Sequence, residues 1–164
     1  MGCAPSVMEK AIVAAVNGDA QAVAAWLDEG GGVDAGCAER DGGTLLMAAA
    51  FGGQEAMVRM LLQRGASVNL QDSVGATVLM IAAAKGHTTI VQALLDAKAD
   101  ASLKDFGGRT ALMLAELHTT TAQLLQQHAE RLKVKAEARV AASAAQEGLP
   151  ASVLLAAGRG EAKR

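Results

Sequence analysis

Apolar residues along this chain fall in short bursts that return at a fixed interval. A Gly-containing turn and a threonine precede each of three bursts. Thr44 stands before Leu45-Leu46-Met47, Thr77 before Val78-Leu79-Met80 and Thr110 before Ala111-Leu112-Met113, with 33 residues from one threonine to the next. A threonine at such a boundary predicts a helix N-cap, because its hydroxyl satisfies an amide that the first turn leaves unpaired. Small residues follow (Ala48 to Ala50, Ala82 to Ala84) and let helices approach closely. Gly53 and Gly86 then break the helix with a tight turn. A second helix carries apolar residues at helical spacing, Met57 with Met60 or Leu61 in one unit and Ile90 with Leu94 in the next. Ala66 to Asn69 and Ala99 to Ser102 lead out toward the following loop. No such unit buries its apolar stripe alone, so neighbours must stack.

On these residues the chain resembles the ankyrin repeat family. The clearest unit is Asp72-Ser73-Val74-Gly75-Ala76-Thr77-Val78-Leu79-Met80-Ile81-Ala82-Ala83-Ala84-Lys85-Gly86-His87, continued by Ile90-Val91 and Leu94-Leu95. The resemblance implies an all-α fold, a solenoid of stacked helix-turn-helix units with protruding β-turn or hairpin loops. It covers residues 8–128 in four units, 8–38, 39–71, 72–104 and 105–128. The first unit lacks a full leading turn, although Gly18-Asp19 with Val23, Trp26-Leu27 and Gly30 matches Gly53 onward. Trp26 aligns with Leu61 and reads as core. The family usually has Pro and His after the capping Thr. Here Leu45, Val78 and Ala111 replace the Pro, and Met47, Met80 and Met113 replace the His. These methionines read as adaptable core fillers. His87 holds the family's usual position after Gly86, which implies a structural hydrogen bond. In the fourth unit Leu124-Leu125 comes three residues early, as expected of an altered, capping repeat.

Residues 1–7 read as a flexible N-terminus and 129–147 as a C-terminal helix. Leu125, Ala129, Leu132, Ala136 and Val140 form an apolar seam expected to cover the end of the stack. Arg131, Lys135 and Arg139 share one face of that helix. Residues 148–164 have two readings, an Ala-rich tail or the start of a further, truncated repeat, since Val153 to Glu161 looks like Ala11 to Asp19. Met1-Gly2-Cys3-Ala4-Pro5-Ser6 fits the pattern for myristoylation of Gly2 with palmitoylation of Cys3, a short motif in so Ala/Gly-rich a chain, and the other reading is an unmodified, disordered terminus.

Composition agrees with a thin helical stack. Hydrophobic residues make up 51% of the 164, but aromatics only 2%, and 37 residues are alanine. The net charge of −2 offers no global field for nucleic acid. It hides an asymmetry, because residues 1–128 carry 8 basic and 13 acidic groups and residues 129–164 carry 7 and 4. No apolar run reaches the roughly 18 residues of a membrane span. Two cysteines form no disulfide framework, which points to a reducing, cytoplasmic setting, peripheral to a membrane if the terminus is acylated. His118 and His128 lack metal-ligand spacing, and Cys37 has no nearby His. No catalytic residue, metal or cofactor is expected, and the chain reads as no enzyme.

The resemblance implies binding of a protein partner through turn tips and the concave edge of the first helices. The matching positions are Arg40, Asp41, Gly43, Ser73, Val74, Ala76, Phe106 and Arg109 at the tips, with Val16, Asn17, Phe51, Lys85 and His118 at the helix ends. Phe106 is the sharpest, an aromatic at a turn tip where packing does not demand one. Three readings follow: an adaptor, a membrane-tethered regulatory subunit acylated at Gly2 or Cys3, or the recognition module of a larger enzyme or channel.

Overall fold

The computed structural model describes residues 6–37 and 41–146. Arg40, Gly2, Cys3 and the tail 148–164 therefore lie outside the described residues. Among the described residues eight helices follow one another: α1 (Val7–Asn17), α2 (Ala20–Asp28), α3 (Leu45–Phe51), α4 (Glu55–Gln63), α5 (Val78–Lys85), α6 (Thr88–Asp96), α7 (Ala111–Leu114) and α8 (Thr119–Gln146). Among the described residues the only extended pairings are isolated bridges, Cys37 with Gly43 and Gln71 with Thr77. Contacts divide the chain into two units, one ending at Gln126 and the other beginning at Gln127.

In the first unit the predicted caps form. The hydroxyl of Thr44 accepts from the Met47 amide at 3.3 Å, Thr77 from Met80 at 3.3 Å and Thr110 from Met113 at 3.4 Å. Each cap starts a first helix, and the first helices pack in succession, α1 on α3, α3 on α5 and α5 on α7, while α1, α3 and α5 also pack against their own second helices α2, α4 and α6. Alanine makes the stacking possible. Ala49, Ala82 and Ala115 occupy one register and are fully buried, as are Ala50 and Ala83. Leu61, Ile90, Leu94 and Leu125 fill the layer between first and second helices. Trp26 is half-buried against this core, with its ring laid over Gly31.

Two expectations fail within this unit. Met47 and Met80 are buried, but Met113, in the same register, is 52% exposed. The reason is position: α5 packs on α3 and α7 on α5, whereas α7, only four residues long, is the last first helix among the described residues. His87 makes no side-chain hydrogen bond among the described residues. Its ring instead packs over Gly53, in space that a Cβ there would need.

Helix α8 runs unbroken from Thr119 to Gln146, across the division that the sequence places at residue 128. Thr121 and Leu125, in its first turns, are buried. In the second unit, Leu132 and Val140 are 53% and 63% exposed. The apolar seam is thus exposed to solvent at those two positions.

Junctions between units differ in tightness. At Gly52 a Cβ would run into the backbone carbonyl of Val16, one unit earlier, while the matching position in the next unit holds Lys85. After α6 the left-handed position is held by Lys98 at φ 70°, where the preceding unit has Gly65 at φ 85°. A side chain in that conformation crowds its own carbonyl. Gly52→Ala is therefore expected to destabilise the stack by about 1–3 kcal/mol, as overpacking does. Lys98→Gly is expected to stabilise it by up to about 1 kcal/mol. Urea unfolding of both variants checks the opposite signs.

Candidate partner-binding face

The face formed by turn tips and first helices is built from repeated polar contacts that the sequence pattern only partly announces. Asp72 opens one turn and its Oδ1 accepts from the amides of Val74 at 3.0 Å and Ala76 at 2.8 Å. Asp105, 33 residues on, accepts from the Arg109 amide at 2.9 Å. An aspartate bonding forward to its own backbone fixes a turn that would otherwise be open. Gln71 then ties one tip to the next, donating from Nε2 to the Gly75 carbonyl at 2.8 Å and the Lys104 carbonyl at 2.9 Å. The backbone adds a rung at each junction: Ser73 N–H donates to Asp41 O at 2.8 Å and Phe106 N–H to Val74 O at 3.0 Å.

The helix ends are linked in the same way. Gln54 Nε2 donates to the Val16 carbonyl at 3.1 Å. His118 Nε2 lies 3.2 Å from the Ala84 carbonyl, which requires the tautomer with its proton on Nε2 if it donates. His118 is thus engaged in holding its unit to the preceding one. Phe51 is 53% exposed at the end of α3, and Lys85 Nζ sits 4.2 Å from its ring centroid, a cation–π contact across a unit boundary.

Arg109, one of the turn-tip positions, is engaged within its own turn. Its guanidinium binds Asp105 Oδ2 through Nε and Nη2, both at 2.8 Å, so it clamps its own turn. The Arg109 amide, reinforced by the guanidinium, holds the buried Asp105 carboxyl below its ordinary value of 3.8. Val74 and Phe106 remain open, at 56% and 76% exposure. The Phe106 ring leans over Gly75, which leaves it anchored at its base with its outer face free. Asp41 is exposed and adopts φ 55°.

Between tips and helices lies a groove of about 390 Å³. Val16, Met47, Phe51 and Ile81 give it an apolar floor, and Asp41 and Asp72 stand along its tip side. The structure brings Asp41 and Phe51 together at this groove, with Lys85 beside Phe51. It leaves Phe106, Arg109 and His118 out of its lining. The sequence reading missed Ile81 and Asp72. Ile81 was legible as a bulky residue where the preceding unit has Ala48, and Asp72 as the turn-forming counterpart of Asp105.

A family model described as Ankyrin repeats (3 copies) matches residues 11–105 and 64–138. No curated protein matches the chain.

The Asp105 clamp has a pH signature. A carboxyl held below its ordinary value contributes stability above pH about 4, and that contribution is lost as pH falls through the lowered value. Asp105→Asn keeps an acceptor for the Arg109 amide but removes the charge. It is expected to lower the urea midpoint at pH 7, with the difference from wild type shrinking below pH about 4.

Proposed function

Because this chain belongs to the ankyrin repeat family, whose repeats are generally protein–protein interaction modules, we propose that it is a non-catalytic adaptor whose concave face holds a protein partner. The observation that carries this reading is the uncovered apolar groove over Phe51 and Ile81, beside tips whose backbone is fixed by inter-unit hydrogen bonds. A pre-organised surface loses little conformational entropy when a partner docks. Exposed aromatics at such a surface act as anchors, because they bury large area for few rotatable bonds. Phe51 serves the helix side and Phe106 the tip side. Asp41, Ser73 and Val74 flank them, and Lys85 sets the edge of the groove. Arg109 and His118 support the face through the contacts they already make.

A second reading rests on the sequence Met1 to Ser6, with Gly2 and Cys3 as acylation sites and the chain tethered as a regulatory subunit. No helix among the described residues is long and apolar enough to cross a membrane, so attachment in this reading comes from the lipid. Intact mass of the protein from its own cell separates the two: an acyl adduct on Gly2 supports the tether, and an unmodified Gly2 removes it.

Ile81→Arg and Phe106→Ala test the adaptor reading, since both side chains reach the surface. With a partner identified by affinity capture, each is expected to weaken binding by roughly tenfold or more. The helical circular dichroism and melting behaviour should stay close to wild type. Unchanged affinity in both variants would place the partner elsewhere and end the proposal.

A further inference from the structure

We propose that the groove of one molecule takes the basic-edged C-terminal helix of a second copy, so that the chain self-associates. This rests on the concave face being a docking surface, and it names an occupant for it. The groove sets apolar Met47, Phe51 and Ile81 beside Asp41 and Asp72. Asp72 uses Oδ1 on its own turn. The Asp41 carboxylate has no hydrogen-bond or ion-pair partner among the described residues. An apolar floor with negative charge along one side selects an apolar row with positive charge along one side.

The second unit carries such a row. Leu132, Ala136 and Val140 share a face of α8 and are exposed. Arg131, Lys135 and Arg139 follow at spacings of four and line the flank beside that row. All three are exposed, and none has an ion-pair partner among the described residues. The same complementarity appears in the sequence totals, 8 basic and 13 acidic groups before residue 129 against 7 and 4 after it. An amphipathic helix laid in an apolar groove is a recurrent recognition mode. A groove that admits side chains makes a contact smaller than the roughly 1,200 Å² of a stable complex. The association is therefore reversible and weakened by salt.

Sedimentation velocity of the full chain over a concentration series, at low and high salt, tests this. The expected result is concentration-dependent association that salt reduces. Asp41→Lys and Lys135→Glu should each weaken it by roughly tenfold, and mixing the two variants should restore it through the swapped charge pair. Lysine is tolerated at a positive φ in this chain, as Lys98 shows. A monomer at every concentration overturns the proposal, as does association indifferent to both substitutions. Loss on Lys135→Glu without rescue by the Asp41→Lys partner overturns it too, since the helix then docks elsewhere. If the chain is monomeric while Ile81→Arg still abolishes capture of a separate partner, this inference falls and the adaptor reading stands. If the chain is monomeric and neither Ile81→Arg nor Phe106→Ala weakens capture, both fall.

Discussion

How closely successive first helices approach one another governs everything else in the stack. Ala49, Ala82 and Ala115 are the points of contact, each with no accessible surface. A larger side chain in that register would push neighbouring units apart. The layer of Leu61, Ile90 and Leu94 would then lose its packing, because a gap of even half an ångström forfeits much of the dispersion attraction. Methyl-sized residues therefore carry a structure that in a single-core domain falls to aromatics. The near absence of Phe, Trp and Tyr is a consequence of this geometry.

The same approach brings polar groups of adjacent units within reach, and these set the registration. Rungs run from Ser73 to Asp41 and from Phe106 to Val74 at the tips, and from Gln54 to Val16 at the helix ends. On the opposite side Ser67 donates to Asp34 from both N and Oγ, at 2.7 and 2.6 Å, and Thr88 pairs with Thr121 at 2.8 Å. Packing decides that units stack, while these bonds decide at which offset. The groove inherits its shape from both.

Much of this was legible in residue order. The threonine caps, the alanine register and the glycine breaks follow from local chemistry and a fixed period, so Thr44, Thr77 and Thr110 behave as expected. Where reading failed, the missing information was about neighbours. Met113 stands three residues after its capping threonine, as Met80 does, but among the described residues no first helix follows α7. His87 and Arg109 have side chains long enough for several partners, and position in the chain does not choose among them. Asp105 binds Arg109, while the His87 ring packs over Gly53. The groove was harder still, since its floor joins Val16, Phe51 and Ile81 from three different units. The residues that line the groove emerge only from the stacked geometry.

The single-turn α7 has a kinetic side. In a nearly one-dimensional array, stability is a sum of unit and boundary terms, and opening begins where that sum is smallest. A four-residue helix with an exposed Met113 contributes little to either term, so the fourth unit is the fraying end. Each opening there releases the Phe106 rung, His118 and the outer face of α5 together, while the boundary closed by Gly52 stays shut. Amide protons should thus be shielded unevenly along the array, least around α7 and most around α3, giving the chain a soft end and a hard one.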